Sequence, residues 1–395
     1  MRYWAGFNVG KAFHWLCILD DEGEVVLSRR VEATEEDIEA ACSQIQTLGS
    51  LQEERAVAVD MVGGPATLLE ASLLGHGERV FYLPGMSVNR AREGYRGEQK
   101  SDRGDARLIA DQLRMRWRSL RELRHHEDEA AEMRLLVSHR RDLVTDQARL
   151  ITRLRALLNE VFPGLDVLLD FHKDRAFVLL GKVATPKSAL RLGASRLARW
   201  LSARGIRRST ELAEKVIEAA KAQSREMPAS EAKGALIREM AADVLRIRER
   251  VAEIEGRLEE LLSVRPEATV VRSLPGMGVV FTASFLAQIG DLERFDSADA
   301  LAAAAGLVPA TRQSGGTSFQ IRARKGNRTL KNLFYRSAFS CTAHHAPSKI
   351  FYDRKRAEGK THHQAVIALA RRRVNVLWAM LRDGQLYEDR SPIAA

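Results

Sequence analysis

Three short β-forming runs open the chain back to back, and no other feature limits its fold so tightly. Residues 3–9, 13–20 and 24–32 are rich in β-branched and aromatic side chains and are separated by Gly-Lys and Asp-Glu-Gly turns, so they read as an antiparallel meander. A helical stretch with Ile38, Ala41, Ile45 and Leu48 comes next. Then follow a short apolar strand, Ala56–Val59, a Gly-Gly-Pro break, a second helix and a strand over Arg79–Leu83. Strands that then alternate with helices predict a mixed α/β sheet.

The pattern changes after residue 122. Apolar residues at Ile237, Met240, Val244, Ile247, Val251, Ile254, Leu258 and Leu261 step by three and four, with Arg and Glu on the other faces. Such a seam predicts a coiled coil. A less regular pattern through Leu135, Val137, Leu143, Val144, Leu150, Leu154 and Leu157 stops at Pro163-Gly164. The two helices fit an antiparallel arm, a dimer interface or a plain helical bundle. With 395 residues supporting two or three domains, the expected division is an α/β domain over 1–122 and a helical, coiled-coil arm over 123–264. A basic, mainly helical module over 265–385 and a tail over 386–395 complete it. The class is α/β plus all-α. Pro228 marks a hinge or loop, and residues 171–227 carry no recognisable chemistry.

Charge sets the last module apart. From Leu307 to Arg382 there are sixteen Lys and Arg against two acids, Asp353 and Glu358, which is +14 in a chain whose total is +10. Phosphate neutralisation needs such a concentration, so nucleic acid is the expected partner, although a basic solvated surface is also compatible. Cys17, Cys42 and Cys341 are far apart with no C-x-x-C spacing, which excludes a disulfide framework or cysteine zinc site and fits a reducing, cytoplasmic setting. The opening MRYWAGFNVGK has no cationic leader before an apolar run. The stretch near Ala300–Ala305 is interrupted by Gly306 and Pro309, so neither a signal peptide nor a membrane span is expected.

Four positions in the first domain point to metal chemistry. Lys100-Ser101-Asp102-Arg103-Gly104-Asp105-Ala106 opens a helix, and a spacing of three puts Asp102 and Asp105 on one face, able to hold a divalent cation, magnesium, by oxygen ligands. The same residues also suit an N-cap at Ser101 or Asp102 with the other acid complementing the helix dipole. Asp60 shifts the balance. It ends Val57-Ala58-Val59-Asp60 before a glycine turn, and a carboxylate at the tip of a buried strand is costly unless paired or bound to metal. The order three strands, helix, strand, helix, strand, helix is the plan of a ribonuclease H-like domain, where a further acid sits on the first strand. Gly6-Phe7-Asn8-Val9-Gly10-Lys11 has Asn8 there. An amide oxygen still ligates a cation but adds no charge to offset two ions about 4 Å apart, so weakened metal binding and little strand cleavage are expected.

In the basic module, Ser273-Leu274-Pro275-Gly276-Met277-Gly278 reads as a helix-hairpin-helix turn whose Gly276 and Gly278 let backbone amides approach a phosphate, or as an ordinary Pro-Gly turn. Further on, Ser314-Gly315-Gly316 places a serine on permissive backbone suited to attack on a phosphodiester, although plain loops share the pattern. Arg312, Arg322, Arg324, Lys325, Arg328 and Lys331 surround it and suit the neutralisation of non-bridging phosphate oxygens. Histidine pairs at 125–126, 344–345 and 362–363 point about 100° apart on a helix and read as surface or phosphate contacts.

The motifs occur in a telling order. Gly-x-Asn8-Val-x-Lys with His14 nearby, Asp60 after the fourth strand, Lys-Ser-Asp-x-x-Asp-Ala, a long helical insertion, Leu-Pro-Gly-x-Gly and Ser-Gly-Gly span nearly the whole chain. In this the chain resembles the insertion-sequence recombinases that join a RuvC-like DEDD domain to a C-terminal serine transposase domain. The resemblance implies that Asn8, Asp60, Asp102 and Asp105 occupy the four acidic positions of a magnesium site. It also implies that Ser314 attacks DNA to form a phosphoserine link, the two domains completing a composite site. Its implied partners are donor and target double-stranded DNA, a structured bridge RNA, and further copies of the chain as a homodimer or homotetramer. Two departures stand out. Asp60 replaces the family's usual Glu, and Asn8 replaces an Asp, which implies an impaired chain. A metal-dependent junction nuclease using only the N-terminal site and a non-catalytic RNA- or DNA-binding scaffold remain open.

Overall fold

A computed structural model describes residues 2–48, 55–92, 101–123, 128–290, 292, 295–308, 310–314, 317–321 and 326–389, with 310–314 and 317–321 described by their backbone. Two compact units divide the chain at residues 126 and 127.

The first unit starts with β1 (Tyr3–Asn8), β2 (Phe13–Leu19) and β3 (Val25–Glu32), the expected antiparallel meander. It continues through α1 (Glu35–Gln46), β4 (Arg55–Val59), α2 (Thr67–Gly75), β5 (Val80–Tyr82), α3 (Gly85–Arg92), α4 (Asp102–Arg116) and β6 (Arg121–Leu123). The strands form one sheet in the order β3-β2-β1-β4-β5-β6, with β4 parallel to β1 and β5 parallel to β4. Side chains alternate across the sheet. Phe7, Val57 and Val59 face α1 and α2, which contribute Ile38, Ile45, Leu69 and Leu73 to a common core. Trp4, Ala56 and Ala58 share the opposite core with Leu108, Ile109 and Leu113 of α4. Backbone meets backbone here: a Cβ on Gly6 would lie 2.4 Å from the Ala110 nitrogen and 2.5 Å from the Ala106 oxygen. The sequence pattern misses α3 and β6. One helix buries only Val88 and the other element spans three residues, too little for either periodicity to register.

In the second unit, α5 (Asp128–Val161) and α11 (Ser230–Ser263) are each 34 residues long. Between them lie α6 (Pro163–Leu168), α7 (Asp174–Lys182), α8 (Pro186–Leu192), α9 (Ala194–Ser202) and α10 (Ser209–Ala222). The two long helices pair antiparallel within one chain. Arg257 Nε donates to Glu132 Oε1 at 2.8 Å near one end, and Lys233 Nζ donates to Glu160 Oε2 at 2.6 Å near the other. The seam of α11 is shared between two cores. Ile237, Ala241 and Val244 pack with Leu150, Leu154 and the short helices, whereas Ile254, Leu258 and Leu261 pack with Met133 and the C-terminal helices. The expected stripe on α5 holds in part: Leu150 and Leu154 are buried and Val137, Leu143 and Leu157 pack against the cores, whereas Leu135 is 70% exposed and Val144 faces outward, and Ala130, Met133, Leu158 and Val161 join the buried side. An irregular apolar pattern offers two adjacent stripes, and only the partner helix selects one.

The chain closes with α12 (Pro266–Ser273), α13 (Val279–Ile289), α14 (Ala298–Ala304), the hairpin β7 (Ala310–Ser314) and β8 (Thr317–Ile321), α15 (Arg328–His344), α16 (Ala346–Ala357) and α17 (His362–Asp383). This part is mainly helical, as expected, with the hairpin added. Among the described residues, no helix is long and apolar enough to cross a membrane.

Candidate active site

Because β1 and β4 run parallel with Phe7 opposite Val59, their C-terminal ends lie side by side and bring Asn8 and Asp60 to one edge of the sheet. Helix α4 begins at the same edge. Ser101 is its N-cap, accepting from the Gly104 nitrogen at 3.1 Å, so capping falls to the serine while Asp102 and Asp105 project from the first turn. All four residues line one cavity of about 420 Å³, together with Lys11 of the β1–β2 turn and Asn89 and Arg92 of α3.

Each of the four has a partner. Asn8 Nδ2 donates to Asp102 Oδ1 at 3.0 Å, and the Val9 nitrogen donates to Asp60 Oδ1 at 3.0 Å. Burial pushes the Asp60 carboxyl above the usual carboxylate range against the pull of the Val9 amide, and the nearby Asp105 charge adds to the rise. Asp105 is 5% exposed and its Oδ1 accepts from both Nε and Nη2 of Arg92. Held this way, no three His, Cys, Asp or Glu side chains among the described residues stand close enough to ligate one ion. The donor set itself suits a hard cation: three carboxylates and an amide on one cavity wall, all oxygen ligands. Asp60, Asp102 and Asp105 supply the charge, and Asn8 can add only a neutral oxygen.

In the second unit, the Met277 nitrogen donates to the Leu274 oxygen at 3.0 Å, and Gly276 sits at φ +76° in the third position of the turn, where a side chain is strained. The turn is braced from within. Cys341 Sγ donates to the Pro275 oxygen at 3.2 Å, and Arg373 donates to the same oxygen and to Ser337 Oγ. Gly276 and Gly278 are exposed, and α13 starts at Gly278 without a side-chain cap, leaving its first amides without intrahelical acceptors. Ser314 ends β7 opposite Thr317, with Gly315-Gly316 connecting the strands. Arg312 lies in the same strand, and Arg328 and Lys331 belong to the first turns of α15. Gly315, Gly316, Arg322, Arg324 and Lys325 lie outside the described residues.

Sequence reasoning missed Arg92 and Arg373. Arg92 sits on the helix that the pattern did not reveal. Arg373 reads as one of three solvated cations in Arg371-Arg372-Arg373, yet it is 4% exposed and its Nε has no hydrogen-bond partner among the described residues.

Comparison with known proteins bears on both regions. The DEDD transposase family of the IS110 type, described as "Transposase", is matched over residues 5–163, which include all four cavity residues. The family described as "Transposase IS116/IS110/IS902 family" is matched over residues 268–353, which include the Gly276 turn and Ser314. The insertion element IS116 uncharacterized 44.8 kDa protein of Streptomyces clavuligerus is 40% identical over 99% of this chain and 98% of its own length. The chain belongs to the IS116/IS110/IS902 family of transposases. The insertion element IS900 uncharacterized 42 kDa protein of Mycobacterium paratuberculosis is 38% identical over 99% of this chain and 98% of its own length. The transposase for insertion sequence element IS1111A of Coxiella burnetii is 24% identical over 97% of this chain and 90% of its own. A transposase acts on DNA, and the DEDD transposase domain implies dependence on a divalent metal.

Proposed function

We propose that this transposase cuts and rejoins DNA through Ser314, with magnesium held by Asp60, Asp102 and Asp105 in a RuvC-like domain. The observation that carries the proposal is the convergence of Asn8, Asp60, Asp102 and Asp105, remote in sequence, on one cavity at the C-terminal edge of the parallel strands. The strand order β3-β2-β1-β4-β5 supports the RuvC-like reading. When bound, the ion supplies positive charge that offsets developing charge at phosphate. The carboxylates hold and orient it. The Ser314 hydroxyl oxygen forms a bond to phosphorus as a DNA hydroxyl leaves, and rejoining reverses the exchange. Arg312, Arg322, Arg324, Lys325, Arg328 and Lys331 neutralise phosphate oxygens, and Gly276 and Gly278 admit backbone amides to the DNA. Asn8 weakens the metal site and impairs the chain as it stands.

On this reading the chain comprises a metal domain over 1–122, an arm over 123–264, a basic domain over 265–385 and a tail over 386–395. Its partners are donor and target duplexes, a structured bridge RNA and further copies in a homodimer or homotetramer, supported by the family resemblance. The test compares the chain with its Asn8→Asp variant in magnesium, RNA from the element, and labelled donor and target DNA. A protease-sensitive protein–DNA adduct from the variant, lost again with Ser314→Ala, is the expected result. Nicking without an adduct points to a junction nuclease, and binding without either to a scaffold.

A further inference from the structure

We propose that Arg92 is the internal counter-ion of the acid site, a positioning residue that holds Asp105 until a divalent cation displaces it. The inference rests on the reading of the acids as metal ligands and goes beyond it, because Arg92 comes from α3, an element outside every motif of the chain. Its place is defined on three sides. Nε donates to Asp105 Oδ1 at 3.1 Å, Nη2 donates to the same oxygen, and Nη1 donates to Asn89 Oδ1 at 3.0 Å one turn back on the same helix. The Arg92 side chain is 23% exposed and that of Asp105 8%, so this pair is largely withdrawn from water.

A buried carboxylate requires a positive neighbour, and a guanidinium fork is one of the strongest available. Arg92 meets that requirement at a carboxylate that lines the cavity shared with Asp60 and Asp102. A divalent ion on either Asp105 oxygen brings two positive charges against the guanidinium that holds Oδ1, so the ion and Arg92 compete for the carboxylate. Binding therefore favours release of Arg92 from Asp105, and α3, which buries only Val88, is the lightly anchored element that carries it. Once released, the guanidinium remains on the cavity wall, where a phosphate oxygen is its natural partner.

The test uses manganese(II) alone with the full-length chain, by calorimetric titration and by thermal unfolding with and without the ion. Four proteins are compared: the chain as it stands, Arg92→Gln, Asn8→Asp and the double variant. Arg92→Gln is expected to bind manganese about tenfold more tightly in both backgrounds, the scale of a lost charge-assisted pair. Without the ion it should unfold at a lower temperature, and manganese should restore the difference. If Asn8→Asp tightens binding but Arg92→Gln leaves it unchanged or weaker, the counter-ion role is overturned while the metal reading stands. If none of the four binds manganese, the metal reading fails and the inference with it. Should Arg92→Gln not fold, Arg92→Met keeps the length and packing of the stem without the charge, and must still tighten binding.

Discussion

Gly6→Ala places a methyl group where β1 and α4 touch. The added Cβ would sit 2.4 Å from the Ala110 nitrogen and 2.5 Å from the Ala106 oxygen, both backbone atoms of a helix that cannot rotate aside. Ordinary contact begins near 3.4 Å, so α4 must retreat by about 1 Å, and overpacking of that kind costs about 1–3 kcal/mol. The displacement reaches the acid site, because Asp102 and Asp105 form the first turn of the same helix. Moved by about 1 Å, the Asn8–Asp102 hydrogen bond of 3.0 Å passes beyond reach. Native-state hydrogen exchange read on the amides of α4 localises the change to that helix and is the suitable assay. Protection there should drop about 5- to 150-fold, the range given by 1.36 kcal/mol per tenfold. Gly75→Ala is the control, since nothing lies within 4 Å of its added Cβ. Equal exchange in Gly6→Ala and Gly75→Ala would refute the reasoning.

Three further outcomes are expected. Gly276→Ala meets Cys341 Sγ at 2.8 Å and a φ of +76°, so it should destabilise the second unit by about 2–4 kcal/mol in urea unfolding, whereas Gly278→Ala meets nothing, gives up only the N-cap preference for glycine and should cost less than about 1 kcal/mol. Loss of DNA affinity in the Gly278 variant alone would then report backbone approach to phosphate. His14 is fully buried with Nδ1 accepting from the Gly10 nitrogen at 3.3 Å, and burial lowers its pKa below the ordinary 6.5. The unfolded chain takes up that proton first, so stability is complete above about pH 6.5 and falls on acidification by up to about 1.4 kcal/mol per pH unit until the folded ring also protonates. His14→Gln should flatten this slope between pH 6.5 and 5.5 in urea titrations, and an unchanged slope would count against it. In the arm, Leu154→Ala should cost about 2–5 kcal/mol and Leu135→Ser less than about 0.5, with the reverse order contradicting the observed pairing of α5 and α11.

Much of the first unit can be read directly from residue patterns. The three opening strands fall within about one residue of Tyr3–Asn8, Phe13–Leu19 and Val25–Glu32, because turns punctuate each run at both ends. Asp60 is legible as an acid at the tip of a strand whose five residues are all buried, and Asp102 and Asp105 are legible through the capping serine before them. Local signals stop there. Nothing in Gly85–Arg92 marks a helix, so the cation opposite Asp105 stays hidden until the chain is folded. The inward turn of Arg373 is likewise invisible, since its neighbours Arg371 and Arg372 share its chemistry and only packing against the Pro275 carbonyl distinguishes it. The heptads of α11 declare a buried seam but not its partner, which the ion pairs to α5 supply. Ser314 is recognisable as the residue before Gly-Gly, and its place at the end of a hairpin strand comes only from the pairing with Thr317.

The central claim is that a serine of this chain takes up DNA when the acid site is complete. The most direct measurement is peptide mass mapping of the Asn8→Asp protein after reaction with magnesium, element RNA and DNA, followed by nuclease trimming. The account predicts a deoxynucleotide phosphate on the peptide that contains Ser314 and none on the same peptide without magnesium. Strand cleavage with that peptide unmodified, or with the nucleotide on another residue, would contradict it.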